Sequence, residues 1–291
     1  MNNYERLEGM VAATFTPMDE NGDVNLSVIE KYADWIASTP IKGVFVCGTT
    51  GEFSSLTIDE RKLILEKWVA SAGKRFKVIA HVGSNCQRSA MELACHAEKA
   101  GADAIASIAP SFFKPGTVDE LVDFFAPICR AASELPFYYY NMPSMTGVSL
   151  SVPSFLIEGK KTMPNLVGTK FTHNNLMEMG ECLELNNGEF EVLHGYDEIL
   201  IAGLALGAGV GSTYNYLPAV YQNLFDAFKK GDICTARRMQ QKSIEIVKII
   251  IKYGGGVRGG KAIMNLIGVD CGRCRLPVTP FGDDEYSSLK R

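Results

Sequence analysis

Short apolar runs rich in β-branched and aromatic residues recur along the chain. Between them lie longer stretches in which apolar residues return every three or four positions. Eight runs read as strands: residues 10–15, 43–47, 77–82, 104–108, 137–140, 166–171, 190–194 and 208–212. Most are apolar throughout and do not alternate with polar residues. That pattern belongs to strands covered on both faces, as in a parallel sheet.

The intervening stretches carry helix start signals. Thr57-Ile-Asp-Glu60 and Thr117-Val-Asp-Glu120 have the spacing of a capping box, in which the threonine hydroxyl and the glutamate carboxylate satisfy each other's backbone N–H groups. The first leads into Leu63, Leu65, Trp68 and Val69, the second into Leu121, Phe124 and Phe125. Ser151-Val-Pro153 opens a third helix with the proline in its first turn. Asp197 precedes the apolar run 199–206, and residues 218–253 look helical throughout, with a break at Gly231. Strands alternating with helices, with no low-complexity linker between them, predict one α/β domain over residues 1–291. The expected architecture is a (β/α)8 TIM barrel over about 1–216, with a C-terminal helical extension over about 217–291. An open doubly wound sheet is the other arrangement to weigh. It usually carries a glycine-rich dinucleotide turn after its first strand, and Thr14-Phe-Thr-Pro17 is not one.

Composition narrows the function classes. Of the 291 residues, 46% are hydrophobic and 21% charged, which suits a globular chain with a sizeable core. The net charge is -4 and no basic stripe occurs, so nucleic acid is not an expected partner. No apolar run reaches the ~18 residues of a membrane span. The polar start Met1-Asn-Asn-Tyr-Glu5-Arg6 leads into no apolar signal segment, so a cytoplasmic protein without a membrane partner is expected. Eight scattered cysteines read as reduced thiols. Cys271-Gly-Arg-Cys274 has no second pair or paired histidines nearby to complete a zinc site, so no metal is expected there.

A barrel collects its chemistry at the C-terminal ends of its strands. There the sequence places Gly48-Thr-Thr-Gly-Glu52, Tyr138-Tyr-Tyr-Asn141, Thr169-Lys-Phe-Thr172, Gly195-Tyr-Asp-Glu198 and Gly211-Ser-Thr-Tyr-Asn215. Lys170 interrupts an apolar run where a strand residue should be buried. Burying an ammonium is costly unless it is paired or neutral. Loss of water lowers a lysine's pKa, and the free amine is the form that attacks a carbonyl. A lysine turned outward, or paired in the core, would give the same sequence. Tyr138 and Tyr140 share one face of their strand. They are either core aromatics or, for the one at the strand end, a proton donor and acceptor beside the lysine. The two-glycine turn offers hydroxyls and N–H groups to a carboxylate, or is simply a tight strand-to-helix turn. Asp197 and Glu198 either open a helix or accept hydrogen bonds from sugar hydroxyls. His81, His96, His173 and His194 share no spacing and read as structural, with His173 set apart by its closeness to Lys170.

Together these motifs resemble the dihydrodipicolinate synthase / N-acetylneuraminate lyase family, from about Gly9 to about Phe281. The resemblance is carried by Gly48-Thr-Thr-Gly-Glu52, Tyr140-Asn-Met-Pro-Ser-Met-Thr-Gly147, Gly168-Thr-Lys-Phe171 and Gly211-Ser-Thr-Tyr-Asn215, in that order. It implies class I (Schiff-base) aldolase chemistry, with Lys170 as nucleophile and Tyr140 moving protons. It further implies that Thr49 and Thr50 hold the substrate carboxylate, and that Thr172, Gly195, Asp197, Glu198 and Ser212 contact sugar hydroxyls. Within the family, His194-Gly-Tyr-Asp-Glu198 is similar to the segment with which the sialic acid lyases hold the polyhydroxy tail of their substrate. Met145 stands where the dihydrodipicolinate synthases typically place an arginine, and a methionine cannot make that bidentate contact with a carboxylate.

The implied reaction is reversible cleavage of N-acetylneuraminate to N-acetylmannosamine and pyruvate, without a cofactor, in a homotetramer. Two departures stand out. Thr49-Thr50 replaces the Ser-Thr of enteric bacterial lyases, and Phe112 stands where relatives often carry a proton-relay tyrosine, so no relay role is assigned there. A related 2-keto-3-deoxy sugar acid aldolase and a barrel that binds a keto acid without turnover are the alternatives.

Overall fold

The computed structural model describes residues 4–7, 9–205 and 208–290. Met1 to Asn3 of the polar start and Leu206, the last residue of the expected 199–206 run, lie outside the described residues. The strands are β1 (Met10–Ala13), β2 (Gly43–Val46), β3 (Lys77–His81), β4 (Ala104–Ile108), β5 (Phe137–Asn141), β6 (Leu166–Phe171), β7 (Glu191–His194) and β8 (Ala208–Gly211). They pair in parallel, in chain order, and β1 closes on β8. The expected TIM barrel is the fold. Each strand lies within its predicted run except β5, which extends one residue further to Asn141.

The helices are α1 (Ser27–Ala37), α2 (Ile58–Ala72), α3 (Gln87–Ala100), α4 (Val118–Arg130), the single turn α5 (Pro143–Thr146), α6 (Val152–Thr162), α7 (Leu176–Glu184), α8 (Leu200–Leu204) and α9 (Pro218–Lys229). Beyond these run α10 (Ile233–Lys252), α11 (Gly256–Leu266) and α12 (Asp283–Leu289). Both capping boxes form: Thr57 and Thr117 each accept from the N–H of the glutamate three residues on, which reaches back in turn. Ser151 caps α6 by accepting from the Ser154 N–H. Gly231, at φ 74°, supplies the left-handed turn between α9 and α10.

Buried apolar side chains sort into two layers, as the period of two in a strand requires. Val11, Phe45, Ile79, Ala106, Tyr138, Tyr140 and Leu193 fill the barrel interior. Val44, Val78, Ile105, Phe137, Tyr139 and Val192 face outward onto the helices. There Phe125 of α4 meets the rings of Phe137, Tyr139 and Phe155 at centroid distances of 5.5, 5.5 and 5.7 Å. Burying one such side chain contributes about 1.5–3 kcal/mol.

β6 breaks the alternation once. Phe137 pairs with Leu166, but Tyr138 pairs with Gly168, so Val167 is an extra residue in a bulge. Leu166 and Phe171 both face the helices, an odd number of positions apart, while Val167 points inward. Gly168 makes the bulge sterically feasible, because a Cβ there would come within 2.0 Å of the Glu191 carbonyl oxygen. The consequence reaches function: the one-residue slip turns Lys170 into the barrel, where unbroken alternation would send it outward.

Candidate active site

Lys170 lies near the C-terminal end of β6 and is 4% exposed. Its Nζ sits 3.9 Å from the centre of the Phe45 ring and 4.2 Å from that of Tyr140. Ring faces attract a cation, but burial dominates. It pulls the amine down from its ordinary 10.5 to about 7, with the Asp197 charge opposing the shift. A substantial fraction of Lys170 is therefore free amine at neutral pH, the state that adds to a carbonyl.

Tyr140 neighbours Lys170 across the β5–β6 ladder. Its hydroxyl lies 3.2 Å from Thr49 Oγ1 and 3.1 Å from Met142 Sδ. Burial pushes the phenol up to about 12, while the hydroxyls of Thr49 and Thr172 hold it down. At neutral pH it is a proton-bearing donor. Two residues back along the same inward face, Tyr138 donates to Glu191 at 2.8 Å, near the other end of the strand. The shared face was expected; the structure assigns its two tyrosines to different surroundings.

The turn after β2 is wound tightly. Cys47 and Glu52 both have positive φ, 54° and 57°, and the Gly51 carbonyl accepts from Thr16 Oγ1 at 2.7 Å. It brings Thr49 and Thr50 to the cavity wall. Glu52 turns the other way. It meets Lys261 of α11 at 2.6 Å, with both side chains 2% exposed, and accepts from the Arg275 N–H at 2.9 Å. The turn is thereby tied to the C-terminal extension.

Asp197 opens a 3-10 turn, Asp197–Ile199, that leads into α8. It is 4% exposed. Its Oδ2 accepts from the Thr213 N–H at 2.7 Å and the Thr213 hydroxyl at 2.6 Å. Burial raises the carboxyl from 3.8 to about 6, against the Thr213 hydrogen bonds. Gly211 leaves the room for it, since a Cβ there would fall 1.6 Å from Asp197 Oδ1. Gly195 does the same for Thr172, whose Oγ1 would lie 1.9 Å from an added Cβ.

All nine residues singled out in the sequence border one cavity of about 320 Å³: Lys170, Tyr140, Thr49, Thr50, Thr172, Gly195, Asp197, Glu198 and Ser212. Sequence reasoning missed the opposite wall, made by Val247, Ile250 and Ile251 of α10 with Gly256 and Val257 of α11. It also missed Thr213, which holds Asp197. Nothing local marks the α10 and α11 residues, because the chain returns to the cavity well after β8, whereas Thr213 lies within the Gly211-Ser-Thr-Tyr-Asn215 motif without a role having been read for it. A larger hollow of about 910 Å³ lies around Lys42, Lys74, Lys77 and the start of β3. It sits at the N-terminal face of the barrel, where strand-end chemistry is not collected.

The remaining candidates fall outside this cavity. His194 is fully buried against Gly203, with burial drawing its imidazole down to about 4. His81 is buried with Nδ1 2.8 Å from the Cys47 carbonyl, and burial together with Arg61 holds it neutral. His96 pairs with Glu66 at 3.2 Å, and His173 lies 3.9 Å from Glu178. Cys271 and Cys274 are both buried free thiols. Among the described residues no three His, Cys, Asp or Glu side chains are grouped as metal ligands would be. No helix among them is long and apolar enough to cross a membrane. Met145 and Thr146 edge a separate 200 Å³ cavity beside Thr49, and Phe112 is 79% exposed.

The sequence matches the dihydrodipicolinate synthetase family over residues 6–291. N-acetylneuraminate lyase from Gallus gallus is 42% identical over 296 residues, covering 100% of this chain and 96% of the relative. The structure of Proteus mirabilis N-acetylneuraminate lyase superposes with a TM-score of 0.95 at 36% identity, covering 98% of this chain and 97% of that one. A Ruminococcus gnavus sialic acid aldolase described as a catalytic lysine mutant superposes with a TM-score of 0.94 at 28% identity, covering 100% and 95%. The chain belongs to the dihydrodipicolinate synthetase family.

Proposed function

We propose that this family member is a carbon–carbon lyase of the class I aldolase type, cleaving N-acetylneuraminate reversibly to N-acetylmannosamine and pyruvate through an iminium on Lys170. The observation that carries the chemistry is Lys170 itself. A buried amine pulled down to about 7 faces a cavity that also holds the Tyr140 phenol. The substrate rests on kinship: relatives about 42% identical along the whole chain are N-acetylneuraminate lyases.

The open-chain sugar acid presents a C2 ketone. Lys170 Nζ adds to C2, and the carbinolamine hydroxyl leaves as water, with Tyr140 donating the proton it needs. The resulting iminium is an electron sink. The C4 hydroxyl then gives up its proton to the Tyr140 oxygen, C4 becomes the aldehyde of N-acetylmannosamine, and the C3–C4 bonding pair moves into the enamine. Protonation at C3 and addition of water to the iminium release pyruvate and restore the amine. The iminium takes the role a Lewis acid would otherwise play, so the route uses no metal or organic cofactor. Thr49 and Thr50 hold the C1 carboxylate. Thr172, Gly195, Asp197, Glu198 and Ser212 face the sugar hydroxyls.

On the same reading the working enzyme is a cytoplasmic homotetramer. Phe112 and Phe113, 79% and 87% exposed, are apolar surface that a neighbouring subunit would cover.

Pyruvate release from N-acetylneuraminate, coupled to lactate dehydrogenase and run beside 2-keto-3-deoxygluconate, tests the proposal. Turnover of the sialic acid with the higher kcat/KM is expected. Release from 2-keto-3-deoxygluconate alone would keep the aldolase chemistry and overturn the substrate. Pyruvate binding with release from neither would leave a keto-acid-binding barrel.

A further inference from the structure

We propose that Gln240 is a positioning residue for sugar recognition: from α10 it fixes the segment bearing Asp197, while the keto-acid end at Lys170 is held by other elements. The inference rests on the function proposed above and extends it to a residue remote in sequence from the strand-end motifs.

The segment that presents Asp197 has no cap of its own. Neither the 3-10 turn Asp197–Ile199 nor the start of α8 carries a side-chain cap from its own N-cap residue. A helix N-terminus leaves backbone N–H groups without intrahelical partners, and a buried one must find them elsewhere. Gln240 supplies one such partner from another helix and adds a second bond to the turn. Its Oε1 accepts from the Ile201 N–H at 2.9 Å, and its Nε2 donates to the Asp197 carbonyl at 3.0 Å. One amide group thus bridges residues 197 and 201.

Gln240 is itself held. It is 5% exposed, and Nε2 also donates to Ser243 Oγ at 2.7 Å. Ser243 is fully buried and passes its own proton to the Gln240 carbonyl at 2.9 Å. The orientation of the amide follows from these partners, since only the Oε1 end can accept from Ile201.

The carboxylate of Asp197 is fixed separately. Thr213 Oγ1 lies 2.6 Å from Asp197 Oδ2 and 2.6 Å from the Tyr221 hydroxyl. Thr213 has one hydroxyl proton. A carboxylate draws it more strongly than a phenol oxygen does, so Tyr221 is left to donate to Thr213. Asp197 is therefore clamped at its main chain by α10 and at its side chain by the turn after β8 backed by α9. Lys170 is packed by neither clamp: its ring neighbours are Phe45 on β2 and Tyr140 on β5, and Asp197 reaches it only through charge. The two ends of the cavity have separate supports, and a substitution at Gln240 should separate them.

The test compares wild type with Gln240→Met, which keeps length and removes the amide. One readout is KM for the sugar acid that the wild type cleaves, with N-acetylneuraminate and 2-keto-3-deoxygluconate both tried. The other is the pyruvate concentration giving half-maximal borohydride trapping. Loss of a buried hydrogen bond should raise the sugar KM about tenfold and leave the pyruvate value within about twofold. Ser243→Ala should move the sugar KM the same way by a smaller factor, and it carries the comparison if Gln240→Met does not fold. Made in an Asp197→Ala background, Gln240→Met should add little, because both changes act on one group.

A parallel rise in both readouts would make Gln240 a support of the whole barrel and overturn the inference, as would full additivity with Asp197→Ala. An unchanged KM in an otherwise active enzyme would sink the inference and leave the proposed function standing. A wild type that cleaves neither sugar acid would remove both.

Discussion

Two lysines are buried among the described residues, and they are held in opposite ways. Lys261 on α11, 1% exposed, meets the Glu52 carboxylate at 2.6 Å and the Arg273 carbonyl at 2.6 Å. Lys170 on β6, 4% exposed, meets the faces of two aromatic rings. The first is met by a carboxylate and a carbonyl oxygen. The second is deprived of water with only partial compensation, and its amine is pulled down to about 7. Burial alone therefore does not distinguish a structural lysine from a reactive one; the partner does. The two are also connected, because Glu52 ends the turn that carries Thr49 and Thr50 to the cavity.

That contrast is sharpest in stability. Lys261→Met leaves Glu52 charged, buried and unpaired, and should destabilise the fold by about 3–5 kcal/mol in denaturant titrations. A neutral outcome would break the comparison. Tyr140→Phe removes the hydroxyl beside Lys170 and leaves the ring and the amine in place. It should lower kcat about 100-fold while pyruvate still becomes trapped on the enzyme, more slowly than on the wild type. Unchanged kcat would remove Tyr140 from the proton transfers.

The smallest expected effect has the opposite sign to that of Lys261→Met. Lys170→Met abolishes the chemistry but should stabilise the fold at pH 7 in denaturant titrations. The folded pKa of Lys170 lies below the unfolded one, so the unfolded chain binds more protons between about 7 and 10.5. Stability lost to Lys170 is accordingly recovered as pH rises through that window, and the gain from Lys170→Met should fade towards pH 10. A gain that grows with pH would contradict the assignment.

Much of the fold was legible because its signals are local. Apolar runs marked the strands, and threonine–glutamate spacings marked the starts of α2 and α4. The site was partly legible for the same reason: strand-end motifs such as Gly195-Tyr-Asp-Glu198 lie within one turn of chain, and the barrel brings them together. What escaped depends on distant contacts or on a single irregularity. Alternation along β6 gives the wrong face for Lys170 until the bulge at Val167 is known, and that bulge depends on the backbone of β7 approaching Gly168. The Glu52–Lys261 pair joins opposite parts of the sequence. Gln240 lies 43 residues from Asp197, on a helix whose apolar spacing says only that one side is buried. Phe112, flagged by resemblance alone, stands outside the cavity of a single chain.

On the proposed function, Lys170 is the amine that captures the keto acid, and its burial makes it reactive near neutrality. Borohydride trapping of pyruvate on the native enzyme across a pH series, followed by peptide mapping, tests both parts at once. One adduct is expected, on Lys170, with a yield that rises with pH through a midpoint near 7. An adduct on another lysine, or a midpoint close to the ordinary 10.5, would contradict it.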